Sequence, residues 1–419
     1  MSRSDDHHLN GADVKGEEGG ASVTSYRSNG RVLARRLRRL RIAGIGLVLA
    51  ALVACAHGGG PPGAPFSIPS RPESVYTSSG QLFALEVSPD VDRQAVLIGE
   101  LAAPGGAATP AKAHLEWLDL KTRRTTQIGE YDRYPGRFAD GPPAVAPSGR
   151  VAVPCWDVGP NARSTIRLWE PDGKYRELGS VKGRMRFVVR WSPDSSHLAY
   201  FRLDDPLQLG PLRLVVAAAP VGDDLVEKEV QSDCSGYDDF RWSRDGLKLY
   251  LLKYFRNGRY GLVSVDPESG QSVRIAGADA EWMGCLNVAQ TSGDVFWLAA
   301  RRNGKEWGPI TVWRLAPGQA AMETRLRLSE VPQEAVVSPD GRDMAVVTQK
   351  GEVMICSLVE GTKRSATTGP LRYPWGLAWV LSGRGLVVTS EEKVVLLIPS
   401  GLPAANGTGT ADRTGHPEE

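Results

Sequence analysis

Residues 190–201 read RWSPDSSHLAYF and contain a tight turn between two short apolar segments. Ser192, Pro193 and Asp194 are the residue types that a type I turn prefers at its first three positions. The flanking segments 187–191 and 197–201 have the length and composition of strands. The stretch therefore predicts a β-hairpin of two antiparallel strands.

The same turn pattern occurs seven times along the chain. The other six copies read EVSPDVDRQAVLI, AVAPSGRVAVPC, RWSRDGLKLYLL, VAQTSGDVFWLA, VVSPDGRDMAVVT and WVLSGRGLVVT. We align the copies on positions that are 43 to 58 residues apart, namely Ser88, Ala146, Ser192, Ser243, Thr291, Ser338 and Leu381. This period is close to the roughly 40–50 residues of a four-stranded propeller blade and too long for ankyrin or leucine-rich repeats.

A second hairpin lies between successive turns, as in STIRLWEPDGKYRELG and GRYGLVSVDPESGQSVRIAG. Two hairpins per period make one four-stranded sheet. Residues 75–401 therefore predict an all-β propeller of seven four-stranded blades at about 47 residues each, while six blades of about 55 residues also fit.

The last unit lacks a fourth strand, because the chain after Gly385–Ser400 contains few apolar residues. The segment Ser74–Val87, which reads SVYTSSGQLFALEV, has strand character before the first turn. Since closure of a ring removes exposed sheet edges, we expect this N-terminal segment to complete the last blade.

Three copies, WSPDSSHLAY, WSRDGLKLY and VSPDGRDMAV, resemble the TolB-type, WD-like propeller repeat. In that repeat an aromatic or apolar residue precedes Ser-Pro-Asp-Gly, and a short apolar strand follows. The resemblance extends over residues 75–401 and implies the propeller fold. It implies no particular function, because TolB itself carries an α/β domain before its propeller and this sequence has a Gly/Pro-rich segment there.

Six arginines between Arg31 and Arg41 precede a run of 13 apolar or small residues, Ile42–Ala54, which ends at Leu-Val-Ala-Cys55. This stretch resembles a bacterial lipoprotein signal peptide. The resemblance implies lipid attachment at Cys55, and Ala56 in place of Asp implies the outer membrane, facing the periplasm. The region before the apolar run is longer than in typical signal peptides, so an uncleaved single-pass anchor and a later true start stay open.

The sequence divides into an N-terminal tail with a lipoprotein-type signal peptide (1–54), a Gly/Pro-rich tether (55–74), the propeller (75–401) and a disordered tail (402–419). Residues 1–54 contain nine of the 50 Lys and Arg residues and five of the 48 Asp and Glu residues, which leaves 41 basic against 43 acidic residues. This near-neutral balance argues against nucleic acid as the partner, since nucleic-acid binding needs a concentrated basic face.

In a propeller, the loops that precede the first strand of each blade open on one face around the axis. Here those loops contain Tyr, Trp and Arg, the side chains that supply most binding energy at protein interfaces. The candidate binding face consists of Tyr134, Arg137, Arg186, Tyr237, Asp238, Trp282, Tyr373 and Trp375. For Trp282 and Trp375, packing between blades is the alternative.

The sequence offers little material for catalytic or metal sites. It contains no G-x-S-x-G, no C-x-x-C and no calcium-loop spacing, and only six histidines. We therefore expect neither a metal nor a cofactor. Cys234 and Cys285 each lie shortly before a repeat turn, which predicts a disulfide between adjacent blades, with two small buried residues as the alternative.

We interpret the chain as an envelope lipoprotein whose monomeric propeller is a noncatalytic scaffold for a protein or peptide partner of the cell envelope. The lipid would hold it at the membrane. Two alternatives stay open. One is a propeller enzyme, a lyase or glycan hydrolase, that uses the central funnel; the other is a single-pass anchored sensor.

Protein purified from the membrane fraction should have an intact mass that begins at Cys55 and includes attached acyl chains, because cleavage precedes the lipidated cysteine and several chains give stable anchoring. A mass that begins at Met1 would contradict the lipoprotein interpretation and support the uncleaved anchor.

Overall fold

The structure is a computed structural model. It describes residues 73–78, 81–87, 95–101, 111–133, 143–156, 163–182, 185–204, 211–218, 225–236, 238–275, 280–303, 306–366, 371, 376–380, 385–390 and 393–397. The predicted signal peptide with Cys55, the predicted tether up to residue 72 and the predicted C-terminal tail lie outside these ranges. Within the ranges, no helix is long and apolar enough to cross a bilayer.

The described residues form β-strands connected by turns. In chain order the strands are β1 (Glu73–Thr77), β2 (Gln81–Val87), β3 (Ala95–Leu101), β4 (Ala111–Asp119), β5 (Thr125–Arg133), β6 (Ala144–Val145), β7 (Val151–Trp156), β8 (Arg163–Trp169), β9 (Tyr175–Lys182), β10 (Met185–Trp191), β11 (His197–Leu203), β12 (Leu212–Ala218), β13 (Glu227–Cys234), β14 (Asp239–Trp242), β15 (Leu249–Tyr254), β16 (Tyr260–Val265), β17 (Ser272–Arg274), β18 (Trp282–Val288), β19 (Val295–Ala300), β20 (Arg302–Asn303), β21 (Glu306–Trp307), β22 (Ile310–Leu315), β23 (Met322–Leu328), β24 (Glu334–Val337), β25 (Asp343–Val347), β26 (Val353–Ser357), β27 (Lys363–Ser365), β28 (Gly376–Val380), β29 (Gly385–Thr389) and β30 (Lys393–Leu397).

These strands build seven four-stranded antiparallel sheets, so the prediction of seven rather than six blades is confirmed. Blades 1 to 4 are β2–β5, β6–β9, β10–β13 and β14–β17. Blade 5 is β18, β19, β22 and β23, with β20 and β21 as a separate small hairpin, and blade 6 is β24–β27. Neighbouring blades contact each other through their first strands, and the contact of β2 with β28 completes the ring.

The predicted ring closure is confirmed in blade 7, whose strand order is β1, β30, β29, β28. Strand β1 pairs antiparallel with β30, with Glu73 opposite Leu396 and Thr77 opposite Lys393. The segment 74–87 therefore supplies two strands to different blades, since β2 begins blade 1. Val75 is buried in an apolar cluster that spans blades 6, 7 and 1.

The Ser-Pro-Asp turn is stabilised by hydrogen bonds within its own loop. Ser192 Oγ donates to Asp194 Oδ1 (2.5 Å) and accepts from the backbone N–H of His197 (2.8 Å). Ser243 with Asp245 and Ser338 with Asp340 repeat the serine–aspartate bond at 2.6 Å each. Burial alone would raise the pKa of Asp194, but the bonds from Ser192 and Ser196 lower it to about 2.

The alignment of the fifth and seventh copies was wrong by one or two residues. In blade 5, Val288 pairs with Val295 and the Ala289 N–H bonds to Asp294 O, so Ala289 rather than Thr291 matches Ser192. In blade 7, Trp379 pairs with Leu386, as Trp191 pairs with Leu198, so Val380 rather than Leu381 takes this position. Neither of these two copies contains Ser-Pro-Asp, the sequence that marks the register in three of the others.

Tryptophans at the ends of three first strands connect adjacent blades. Each indole Nε1–H donates to a backbone carbonyl on the first strand of the preceding blade. The bonds run from Trp191 to Ala144 O (3.2 Å), from Trp242 to Arg190 O (3.3 Å) and from Trp379 to Val336 O (3.1 Å). The aromatic residue of the repeat is therefore both an apolar filler and a hydrogen-bond donor across the seam between blades.

Val75→Asp should lower the free energy of unfolding by about 3 kcal/mol or more, because it places a carboxylate in the apolar seam between the chain ends. Ser74→Asp is the matched control, since Ser74 is the exposed neighbour on the same strand and should change stability little. Urea unfolding of both variants measures the difference. Equal stability of the two variants would contradict the role of β1 in blade 7.

Candidate functional site on the ring faces and in the central channel

The ring has two faces, which differ in the loops they carry. On the start face, the first strand of each blade begins. Because the strands of a blade alternate in direction, this face also carries the loops between second and third strands. On the turn face, the first strands end and the Ser-Pro-Asp turns lie.

The predicted binding residues that the structure describes lie on the start face. Arg186 is the second residue of β10, Asp238 directly precedes β14, and Trp282 begins β18. They therefore belong to three successive blades. The remaining predicted residues, Tyr134, Arg137, Tyr237, Tyr373 and Trp375, lie outside the described residues.

The carboxylate of Asp238 accepts hydrogen bonds from its own loop and from the end of β15. Its Oδ2 accepts from the backbone N–H of Ser235 (2.9 Å), and its Oδ1 accepts from Ser235 Oγ (2.7 Å) and from the N–H of Tyr254 (2.8 Å). Burial raises the pKa of Asp238 despite these bonds. The side chain thus joins the loop before β14 to the end of β15, which is a structural role.

Trp282 is half-buried and lies against its own strand. A Cβ atom on Gly284 would lie 2.9 Å from Trp282 Cζ2, so the glycine leaves the space that the indole occupies. Trp282 is also packed against the apolar cluster of blades 5 and 6. One part of the Trp282 indole is therefore held by packing, and another part is exposed to solvent on the start face.

Two further aromatic residues on the start face were missed by the sequence prediction. Trp307, on the β20–β21 hairpin, is 46% exposed, and the guanidinium of Arg302 lies 4.8 Å from its ring centroid. Tyr254, at the end of β15, is 36% exposed and lies against Tyr260. Tyr254 ends the second strand of its blade and Trp307 follows the second strand of its blade, whereas the predicted face was drawn from loops that precede first strands. The insertion RRNGKEWGP between β19 and β22 was the available signal.

These residues form one surface, which we call the start-face patch: Tyr254, Trp282, Trp307, Arg259 and Arg302. The ion pair of Arg259 with Glu281 (3.4 Å) joins the β15–β16 loop to the residue before Trp282. Trp282 pairs with Ala300, two residues before Arg302. Among the side chains of this region that the structure describes, the basic ones are Lys253, Arg256, Arg259, Arg301 and Arg302, and the acidic ones are Asp233, Asp238 and Glu281. Basic side chains therefore outnumber acidic ones within this described set.

The predicted Cys234–Cys285 disulfide is not formed, because the two residues lie in different parts of the ring. Cys234 ends the outermost strand of blade 3, and Cys285 lies in the first strand of blade 5. Both are buried free thiols in separate apolar clusters. Burial raises the pKa of each thiol to about 12, so neither is a reactive thiolate at neutral pH. The alternative of two small buried residues describes them correctly.

The axis of the ring contains charged and polar side chains that the sequence prediction did not identify. This central cluster comprises six side chains on the first strands of five blades, namely Glu86, Arg190, Asp239, Arg241, Asn287 and Glu334, and all are buried. Asp239 Oδ1 lies 3.0 Å from Arg190 Nη2 and 2.8 Å from Arg241 Nη1. Asn287 Nδ2 donates to Ala335 O of blade 6 (3.1 Å). The cluster therefore joins blades through polar contacts at the axis.

Burial shifts the pKa of each acid in the central cluster upward. It raises the pKa of Asp239 to about 7, although the charge of Arg190 opposes the shift. It raises the pKa of Glu86 well above its usual value, again against the charge of Arg190. It likewise raises the pKa of Glu334; the backbone amide of Leu377 opposes this, and the carboxyl of Glu86 adds to it. The pKa of Arg190 is lowered, since burial also disfavours its charge.

A small pocket lies where the axis reaches the turn face. Glu86, Arg190 and Arg241 line it from inside, Trp191 and Trp242 form walls, and Arg244 stands in the following turn. The pocket is partly open to solvent, and its cavity volume is about 50 Å³. Pockets for drug-sized ligands enclose about 300–1,000 Å³, so this one accommodates a single functional group rather than a whole sugar or peptide.

The described histidines lie away from the axis. His114, on β4 of blade 1, lies 3.5 Å from Glu130 on β5, and His197 is exposed at the start of β11. Within the described ranges, no group of three or more His, Cys, Asp or Glu side chains is arranged to hold a metal ion.

Comparison with known proteins identifies a fold and no family. No family model matches the sequence, and no curated protein matches it. The β-propeller domain of Cps50 (Swd1) from Myceliophteria thermophila matches with a TM-score of 0.54 and 13% identity, over 78% of this chain and 99% of that chain. An oligogalacturonate lyase from Vibrio parahaemolyticus matches with a TM-score of 0.55 and 10% identity, over 77% and 90%.

The protein is a β-propeller. At identities this low, the two matches show a shared architecture only. TolB from Acinetobacter baumannii also matches, with a TM-score of 0.41 and 14% identity over 72% of this chain and 79% of that chain, and this match is too distant to add to the comparison. In all, 1315 solved chains match the propeller, so the fold is too common to select a function.

Glu334→Gln should stabilise the propeller at pH 8 and leave it nearly unchanged at pH 4. A buried carboxyl whose pKa is raised above the unfolded value of about 4 loses stability as pH rises, because the unfolded chain then releases the proton more easily. Gln has the shape of the protonated acid and carries no charge at either pH. We expect an increase in melting temperature of about 2–4 °C at pH 8.

The control is Glu330→Gln, at an exposed acid in the loop that precedes β24. Thermal unfolding of both variants between pH 4 and pH 8 gives the comparison. If Glu334→Gln keeps the wild-type pH dependence, the charged form of Glu334 is not penalised by burial.

Proposed function

We propose that the protein is a noncatalytic binding module that uses its start face to dock an acidic segment of a partner protein. The supporting observation is the start-face patch, in which Trp307 and Tyr254 are exposed and Trp282 is half-buried, with Arg259 and Arg302 beside them. Trp, Tyr and Arg are the residue types that dominate binding energy in protein interfaces. The excess of basic over acidic side chains in this region favours an acidic partner through charge complementarity.

The ring supports this role because it fixes the patch before binding. Trp282 is held over Gly284, the Arg302 guanidinium lies over the Trp307 ring, and the pair of Arg259 with Glu281 joins two blades. A preorganised surface loses little conformational entropy when a partner docks. Rigid aromatic side chains on short connections are therefore suited to recognition.

A catalytic role has one observation in its favour, namely the raised pKa values of Glu86, Asp239 and Glu334 at the axis. Perturbed acids often mark active sites. Here, however, the shifts arise from burial between blades, and the adjoining pocket of about 50 Å³ is too small for a sugar ring. The name of the lyase neighbour describes that protein and is not transferred to this one. Binding on the outer surface is the better-supported function.

The proposed location is the bacterial cell envelope, with a lipid on Cys55 and the propeller facing the periplasm. This part of the proposal rests on the arginine-rich segment, the short apolar run and the lipobox-like LVAC sequence. A partner in the envelope is then the expected one, and the propeller acts as a monomer.

A photo-crosslinking amino acid at position 307 should capture a partner in intact cells, whereas the same amino acid at position 175 should not. Tyr175 is the matched control because it is 58% exposed on the outermost strand of blade 2, far from the start-face patch in the ring order. Mass spectrometry should place the crosslink in an acidic stretch of the partner. Capture at both positions alike would contradict the proposed docking face.

The purified partner should bind Trp307→Ala at least about tenfold more weakly, since loss of an interface tryptophan removes a main binding contact. Its affinity should also fall with added salt. Tyr175→Ala should bind as the wild type does. If neither Trp307→Ala nor added salt changes the affinity, the partner binds outside the start-face patch, and the proposed docking face is wrong.

A further inference from the structure

The exposed apolar side chains of the propeller are concentrated on the turn face. Because the strands of a blade alternate in direction, this face carries the loops between third and fourth strands as well as the repeat turns. Of the large apolar side chains that are exposed among the described residues, Tyr254 and Trp307 lie on the start face. The other six lie in turn-face loops or within two residues of such a loop: Tyr175, Val226, Leu247, Val273, Met322 and Val359.

These six side chains, which we call the turn-face apolar set, are spread over blades 2 to 6. Leu247 is 68% exposed in the repeat turn of blade 4, and Val226 is 77% exposed directly before the fourth strand of blade 3. A protein interface gathers its apolar side chains into one core with a polar rim. A set that is distributed over five blades along one face instead fits a flat partner that touches all of its members together. A lipid surface is such a partner.

Hydrogen bonds between neighbouring repeat turns hold the turn face in shape. The Ser148 N–H donates to Ser195 Oγ (3.1 Å) between blades 2 and 3, and the Thr291 N–H donates to Pro339 O (2.8 Å) between blades 5 and 6. Arg244 Nη1 donates to Thr291 O between blades 4 and 5. The turn face is therefore a connected frame, which loses little conformational entropy when it makes contact with a partner.

Both ends of the described chain lie on the turn face. Strand β1 is the fourth strand of blade 7, so Glu73 begins this strand at the turn face. Glu73 lies opposite Leu396, near the end of β30, and this third strand ends on the same face. The residues that precede Glu73 therefore join the ring on the turn face and not on the face that carries the start-face patch.

The sequence before Glu73 brings the turn face close to the membrane. The arginine-rich segment and the apolar run end at Cys55, which lies at the membrane whether a lipid is attached or the anchor is uncleaved. Residues 56–72 separate Cys55 from Glu73, and a Gly/Pro-rich chain of that length spans about 20–25 Å on average. Such a short connection gives the ring a high local concentration at the membrane, so weak apolar contacts are sufficient to hold the face against the lipid.

Charge gives the turn face no preference for an anionic surface. The repeat turn of Leu247 reads SRDGLK and the loop before Val273 reads DPESGQ, so the first contains two basic residues and one acid, and the second contains two acids. Attraction to anionic lipid needs a cluster of basic residues. We therefore expect contact through the apolar side chains, with no requirement for anionic lipid.

We propose that the turn face lies against the lipid bilayer, with the turn-face apolar set in contact with the membrane surface. This inference rests on the proposed envelope location and adds an orientation to it. In this orientation the start-face patch points away from the membrane and stays open to a partner protein. Tyr175, the control position of the crosslinking experiment, then faces lipid and not the partner.

Quenching of a fluorescent dye by spin-labelled lipid tests the orientation. The protein is purified from the membrane fraction and reconstituted in vesicles of phosphatidylethanolamine and phosphatidylglycerol, with a thiol-reactive nitrobenzoxadiazole dye on Leu247→Cys or, in a separate variant, on Arg256→Cys. Arg256 is the matched control, because both residues are exposed and lie in the turns at opposite ends of β15. Unsubstituted protein treated with the same dye gives the background from the native cysteines.

Lipids that carry a nitroxide near the headgroup should quench the dye at position 247 at least about twofold more strongly than the dye at position 256, because the turn face alone contacts lipid. Quenching should be the same in vesicles of phosphatidylcholine, since the contact is apolar.

Leu247→Asp should reduce the quenching of a dye on Met322→Cys about twofold or more, because a carboxylate in the apolar contact opposes it. Asn257→Asp is the control. It adds the same charge on the start face and keeps the side-chain oxygen that accepts from the Arg259 N–H. Quenching at position 322 should be unchanged in this variant. The substituted residues are exposed, so melting temperatures should stay at the wild-type value and identify any loss that comes from unfolding.

The orientation is overturned if anchored protein shows no quenching at position 247, or quenching at position 256 that is equal or stronger. A requirement for phosphatidylglycerol, or an equal effect of Asn257→Asp and Leu247→Asp, would also overturn it. Flotation of the same samples with the vesicles measures anchoring separately. Protein that does not float would contradict the envelope anchor and this inference with it, whereas protein that floats without quenching at position 247 would contradict the orientation alone.

Discussion

The pairing of β1 with β30 is the constraint on which the rest of the molecule depends. Without it, blade 7 would have three strands, and the outer edge of β30 would be exposed to pairing with other chains. The pairing also brings the two ends of the chain into one sheet, and so fixes the order of the blades round the axis. The two faces of the ring, and any sites on them, exist only because this sheet is completed.

The seams between blades are held by two kinds of contact, which act at different depths. Apolar side chains fill most of each seam, and three tryptophans add a directed hydrogen bond to the preceding blade. At the axis the contacts are ionic and polar, as where Asp239 meets Arg190 and Arg241. Buried ion pairs stabilise little by comparison with apolar packing of the same volume.

Sequence patterns predicted the architecture because the repeat turn is a local structure. The bonds among Ser192, Asp194 and His197 lie within six residues, so their residue types appear together in the sequence. Two of the copies that lack Ser-Pro-Asp, the fifth and the seventh, were placed two residues and one residue out of register. In those copies the position of the turn depends on how the two strands pair, as between Val288 and Val295. The apolar residues of the strands do not reveal this pairing in the sequence.

The sites were less predictable, since their residues come together only round the ring. Asp239 and Arg241 lie in the four-residue strand DFRW, where nothing local distinguishes an axial side chain from a surface one. Their partner Arg190 belongs to another blade. Of the start-face patch, the sequence predicted Trp282 alone, because Trp282 begins a first strand whereas Trp307 lies in an insertion after a second strand. The disulfide prediction failed because position before a turn does not reveal whether a cysteine is at the axis or at the rim.

The shared sheet of blade 7 also has a consequence for how the chain is made. Strand β1 is synthesised long before its partner β30. The ring therefore cannot close until β30 has left the ribosome. Contacts between such distant segments form slowly, because a very long loop has to be brought together before they yield any free energy. The ring of the nascent protein therefore stays open until β30 has left the ribosome, even if blades 1 to 6 have already formed.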